Sequence, residues 1–173
     1  MDYLDAQFCT GGEDELKETV TRYGAKLLRY ATAILCDFQE AEDIVQEVFL
    51  TAYQGRATFD GRHLSAWLHK IAYHRCLNRL KQKKRFTTFP LQENMVAPEA
   101  EDGLSAATLS ALQKLKPQER TLIVLRIMED YSYDELSRLM GVQPAALRKQ
   151  YERAKRKLAL LLKKEQEAHD EAI

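Results

Sequence analysis

Apolar residues recur at three-to-four spacing along most of the chain, and β-branched residues never form an alternating run, so the pattern predicts an all-helical protein. Leu16, Val20, Tyr23, Leu27, Tyr30, Ala31 and Ile34 mark one face of a first helix from about Glu13 to Leu35. Asp37 is placed to cap a second helix, whose stripe of Ile44, Val45, Val48, Phe49 and Ala52 ends at Gly55. Periodicity fails through Phe59, Asp60, Gly61 and Arg62, which read as a turn-forming loop. Ser65 is the expected cap of a third helix running to about Arg85, with Leu68, Ile71, Ala72 and Leu80 inward.

Residues 87–103 contain Pro90, Pro98 and several acids without periodicity, which predicts a flexible linker between two small helical domains, 13–86 and 104–165. The second domain opens near Ser105 with a helix to Leu115, and Pro117 starts another through Leu122, Val124, Leu125 and Met128. Ser132 and Glu135 form a capping-box signature, Gly141 is a stop signal, and Pro144 begins a long basic helix. A short capped helix, a turn and a longer basic helix give the layout of a helix-turn-helix over Tyr131 to Leu158, with Leu136, Leu139, Val142, Leu147 and Ala154 inward.

Charge changes this picture. The formal net charge of +0 conceals segregation. No Asp or Glu occurs from Gly61 to Gln92, whereas Arg62, Lys70, Arg75, Arg79, Lys81, Lys83, Lys84 and Arg85 do. From Pro144 to Lys164 the only acid is Glu152, against eight Lys and Arg. Two basic blocks are thus two candidate phosphate-binding surfaces, or alternatively two solvated helix faces. On the last helix Arg148, Lys149, Glu152 and Arg153 fall outward. Arg reads guanine in bidentate fashion and Glu accepts from cytosine, so this face has the chemistry of base readout.

Other classes lose support. Cys9, Cys36 and Cys76 are odd in number and lack paired spacing, which argues against a disulfide framework and fits a reducing cytoplasm. His69, His74 and Cys76 lack a fourth ligand, so no metal is expected, and no cofactor is implied. No apolar run reaches the roughly 18 residues of a membrane span. Gly-rich phosphate loops, nucleophile elbows and paired-histidine motifs are absent, so the chain is not expected to be an enzyme.

Two separated stretches resemble one family. Ala41-Glu42-Asp43-Ile44-Val45-Gln46-Glu47-Val48-Phe49 is similar to the polymerase-binding helix in the second conserved region of sigma-70-family factors. Ser65-Ala66-Trp67-Leu68-His69-Lys70-Ile71-Ala72, followed by Lys81 to Arg85, resembles that region's promoter-melting helix. Leu115-Lys116-Pro117-Gln118-Glu119-Arg120 through Tyr131-Ser132-Tyr133-Asp134-Glu135-Leu136, ending in Arg153-Ala154-Lys155-Arg156-Lys157-Leu158, resembles the fourth region. The short linker is similar to that of the extracytoplasmic-function group.

The resemblance implies a sigma factor that binds the clamp and flap of core RNA polymerase, places both promoter elements and helps melt promoter DNA. It implies polymerase binding by Asp43, Ile44, Gln46, Glu47 and Phe49, and an anti-sigma factor, membrane-bound or not, as a further partner. Downstream-element contact and melting fall to Phe59, Asp60, Arg62, Trp67, His74, Asn78 and Lys81, and upstream-element contact to Arg148, Lys149, Glu152 and Arg153. Phe59 and Trp67 keep a second reading as core aromatics. His74 departs from the family's usual asparagine, and Pro144-Ala145-Ala146 departs from the family's pattern at the start of the recognition helix. A stand-alone helix-turn-helix regulator remains the alternative, although it leaves Ala41 to Phe49 unexplained.

Overall fold

A computed structural model of the chain describes residues 3–86 and 104–171. These residues are helical with no strand among them, and the chain divides into two compact units, Met1–Glu93 and Asn94–Ile173. The expected linker at 87–103 lies outside the described residues.

The first unit contains α1 (Tyr3–Phe8), α2 (Glu13–Leu35), α3 (Phe38–Gly55) and α4 (Leu64–Phe86), with a 3₁₀ turn over Arg56–Thr58. Only Cys36 and Asp37 separate α2 from α3, which forces a tight helical hairpin. Cys36 adopts a left-handed conformation (φ 52°) and its N–H reaches the Thr32 carbonyl at 2.7 Å, closing α2. Asp37 caps α3, its side chain accepting from the Glu40 N–H at 3.0 Å. Helix α4 packs on both. The core joins Leu27, Tyr30 and Ile34 of α2 to Ala41, Ile44, Val48 and Ala52 of α3 and Leu64, Leu68, Ala72 and Cys76 of α4. Burial in this apolar setting pushes the Cys76 thiol up to about 12, with Arg79 opposing.

Three local expectations change. Helix α4 starts at Leu64, with the Trp67 N–H already bonded to the His63 carbonyl (3.1 Å), so Ser65 lies inside the first turn and is not the cap. Val20 is exposed, because the core of the unit engages the C-terminal half of α2 and leaves this part of the stripe outside. Helix α1 was not anticipated; its six residues are too few for a periodic signal, yet Leu4 and Phe8 are fully buried.

The second unit contains α5 (Ala106–Gln113), α6 (Pro117–Ile127), α7 (Tyr133–Met140) and α8 (Pro144–Glu171). Helix α8 is the hub on which the other three pack. Ser105 caps α5 by accepting from the Thr108 N–H at 3.1 Å, and Pro117 stands at the start of α6, where its missing N–H costs nothing. Five successive residues of α6, Thr121 to Leu125, are buried, and the buried Arg120 donates to the Leu112 carbonyl at 3.2 Å. The capping box of α7 is reciprocal: Ser132 Oγ accepts from the Glu135 N–H at 3.2 Å, and Glu135 accepts from the Ser132 N–H at 2.8 Å. Gly141 then turns the chain with φ 69°. Leu136, Leu147 and Ala154 lock α7 to α8, with Leu139 and Val142 half-buried.

Candidate nucleic-acid interface

Helix α4 has three faces, each set by angular position. Leu64, Leu68, Ala72 and Cys76 point into the core. Arg75, Arg79 and Lys83, at four-residue spacing, face α3. Arg75 donates to Glu47 (3.2 Å) and to Thr51 Oγ1 (2.9 Å). Arg79 bridges Glu40 and Glu47, the latter at 3.0 Å, and Lys83 reaches Asp37 at 3.1 Å and Glu40 at 3.6 Å. Desolvation works against the Arg79 charge, but the Glu40 hydrogen bond and the charges of Glu40, Glu47 and Asp43 hold its guanidinium above its ordinary value.

Lys70, His74, Asn78 and Lys81 make the third, exposed face, joined by exposed Arg62 and Lys84. His74 is held below its ordinary value of 6.5 by desolvation and by Lys70 and Lys81, so the face carries its lysines and a neutral imidazole at neutral pH.

The α3 residues named for polymerase binding separate. Asp43 and Gln46 are exposed one turn apart, and Glu47, half-buried, is engaged by the two arginines of α4. Ile44 is 1% and Phe49 7% exposed. Both lie in the apolar stripe that holds α3 in its own unit, whereas the resemblance gave them to a partner surface. Leu50, 57% exposed, shares the outer side of α3 and was missed. Its signal was available, since it is an apolar residue off the stripe.

Phe59 is buried. At 7% exposure it sits in an aromatic cluster, its ring stacked on Trp67 (centroids 4.9 Å apart, planes at 27°) and edge-on to Phe8 at 6.3 Å. Of the two roles the sequence left open for it, the core role is the one its surroundings fit. Trp67 is half-buried, packed against Phe59 and edge-on to Phe8 at 6.3 Å. Asp60 and Arg62 are exposed, and Asp60 Oδ1 accepts the Arg62 N–H at 3.0 Å, which folds the loop between them.

In the second unit Arg148, Lys149, Glu152 and Arg153 are all exposed. The Arg148 guanidinium lies over the Tyr133 ring, 5.3 Å from its centroid. Tyr133 also receives Arg126 at 4.8 Å and meets Tyr151 edge-on at 6.3 Å. The sequence reading missed this aromatic support, because Tyr133 and Tyr151 come together only once α7 crosses α8. Lys157, by contrast, pairs with Glu119 of α6 at 3.0 Å. Desolvation would raise the Glu119 carboxyl, but the Lys116 N–H and the Lys157 ammonium hold it below its ordinary value.

Among the described residues no cluster of His, Cys, Asp and Glu could hold a metal ion, and no helix is long and apolar enough to cross a membrane.

Known proteins share these elements in the same order. Residues 19–86 match the family described as Sigma-70 region 2, and residues 105–158 the one described as Sigma-70, region 4. The chain is 31% identical over 164 residues to the ECF RNA polymerase sigma factor SigM of Mycobacterium tuberculosis, across 92% of this chain and 83% of that one. It is 26% identical over 168 residues to the ECF RNA polymerase sigma factor SigW of Bacillus subtilis, across 86% and 89% respectively. The same fold occurs in the sigma factor RpoE of Bartonella quintana, solved with the anti-sigma factor NepR. There the TM-score is 0.73 at 22% identity, covering 87% of this chain and 98% of that one.

Proposed function

This chain belongs to the sigma-70 family of RNA polymerase sigma factors, in its extracytoplasmic-function group, and we propose that it carries out promoter-specific initiation by dividing polymerase and DNA between opposite sides of its helices. The observation that carries this reading is the sorting of charge in the first unit. Ion pairs between α3 and α4 fix the two helices side by side. Outside that seam, α3 offers Asp43, Gln46 and Leu50, a surface suited to a protein, and α4 offers Lys70, Asn78 and Lys81, a surface suited to DNA. The clamp of the core enzyme is the proposed partner of the former and the downstream promoter element that of the latter. The second unit is assigned the upstream element through Arg148, Lys149, Glu152 and Arg153, and the polymerase flap as its protein partner.

In this reading the loop at 59–63 captures an unstacked base of the nontemplate strand through Asp60, Arg62 and the exposed part of Trp67, with Phe59 supporting from beneath. Extruding a base costs a few kcal/mol, which a preformed pocket has to return by stacking and hydrogen bonds. An anti-sigma factor is proposed as the regulatory partner, as the relative RpoE is seen with NepR.

Run-off transcription with purified core polymerase tests the proposal. Addition of the chain should give initiation at promoters selected from a random library. Replacing Asp43 and Gln46 together with alanine should weaken core binding by more than tenfold, in line with about 2 kcal/mol for a central contact, while helicity is kept. Duplex binding without restored initiation would instead identify a stand-alone helix-turn-helix regulator.

A further inference from the structure

The segment at residues 3–11 precedes the stretch matched to the family and is given no task by the reading above. It nevertheless touches the loop at 59–63 along its length. Phe8 is fully buried, edge-on to both Phe59 and Trp67 at 6.3 Å. The Cys9 thiol donates to the Phe59 carbonyl at 3.3 Å. Gly61, held at φ 76°, passes so close to α1 that a β-carbon there would lie 3.6 Å from Cys9 Sγ and 3.9 Å from the Ala6 α-carbon. The turn after α1 is fastened in its own right, since Arg56 Nε donates to the Gly11 carbonyl at 3.2 Å. The loop is therefore gripped at its backbone and beneath its aromatic floor, while Asp60 and Arg62 remain exposed.

We infer that residues 3–11 are a brace that sets the shape of the 59–63 loop, with Phe8 and Cys9 as positioning residues for base capture that do not themselves touch DNA. The inference rests on the proposed base capture by that loop. Its physical basis is preorganisation. Asp60 and Arg62 are tied by a hydrogen bond from the Arg62 backbone N–H to the Asp60 carboxylate, and with Gly61 between them that bond alone cannot fix a pocket against the pull of base stacking. A rigid floor and a pinned carbonyl make the loop's shape independent of the DNA, so that none of the gain from capturing the base is spent on ordering the loop.

The test uses the full chain as holoenzyme with core polymerase on a promoter selected by that holoenzyme, and reads permanganate-reactive thymines. Phe8→Leu keeps an apolar side chain in the buried position but removes the ring edge from Phe59 and Trp67. Phe8→Ala is the stronger variant, and Phe8→Leu carries the test should the alanine form lose its fold. Open complex should fall about tenfold in Phe8→Leu, with core binding and upstream-duplex binding unchanged. Combined with Asp60→Ala and Arg62→Ala, it should open the promoter no less well than the loop double variant alone, because both changes act through one pocket. Normal opening by Phe8→Leu, or a combined loss equal to the product of the separate losses, overturns the brace while leaving base capture standing. Normal opening by the loop double variant overturns base capture itself, and the brace with it.

Discussion

Helices α4 and α8 each carry a dense run of basic residues, but α4 directs Arg75, Arg79 and Lys83 at the acids of α3, whereas α8 leaves Arg148, Lys149, Arg153 and Arg156 exposed and commits Lys157 to Glu119. The same composition thus does two jobs. In the first unit much of the charge holds two helices in register and only the remainder faces outward. In the second, apolar contacts from Leu136, Leu147 and Ala154 already fix the helix, and Lys149, Arg153 and Arg156 are left exposed. A basic run is therefore informative about DNA only after its internal partners have been subtracted.

The largest effect is expected where α8 is proposed to read sequence. Arg148→Ala should relax base preference at one promoter position by about 1–3 kcal/mol, measured by promoter selection with the holoenzyme, while the second unit melts as before. An unchanged preference would reduce the free charges of α8 to phosphate anchors.

Next in size is the seam of the first unit. Arg79→Ala removes the bridge between Glu40 and Glu47 and leaves Glu40 to Lys83 and Glu47 to Arg75, a loss between that of an exposed pair and a buried one, about 1–2 kcal/mol. Thermal melting should show it, with the salt dependence of DNA binding unaltered. Arg153→Ala should behave in the opposite way, melting normally and binding with a shallower salt dependence. Equal melting of the Arg79 and Arg153 variants would erase the distinction between the helices.

The smallest effect tests the exception in α8. Lys157→Ala should cost about 0.2–1 kcal/mol, the range of a partly exposed pair. Because Glu119 is held below its ordinary value of 4.5 in the folded chain, this stabilisation is present above that value and is lost as pH falls through the folded one. The variant and the parent should accordingly converge in stability on acidification. A gap that persists at low pH would mean that the lysine contributes by packing and not by charge.

What was legible in the sequence follows the range of the interactions. Asp37, Ser132 with Glu135, Gly141 and Pro144 act within one helical turn, and each stands where its local chemistry predicts. The ion pairs between α3 and α4 span 28 to 46 residues of sequence, and which lysines and arginines they consume depends on helix register, which periodicity does not give. Phe59 was ambiguous because its partners, Phe8 and Trp67, come from two other elements. Ile44 and Phe49 received two readings, inward from periodicity and outward from the resemblance, for another reason. A resemblance carries a motif across whole, and this motif includes residues present for the fold as well as residues facing a partner. Their places in the apolar stripe already marked them as inward.

The buried Cys76 has a use unrelated to promoters. Burial pushes this thiol up to about 12, so it is protonated at neutral pH, and an alkylating reagent is expected to mark it chiefly during excursions in which α4 lifts from α2 and α3. Reaction at this one atom, followed by peptide mass spectrometry to separate it from Cys9 and Cys36, is a built-in clock for the breathing of the unit. The factor by which an added partner slows that clock would measure its hold on the first unit in units of time.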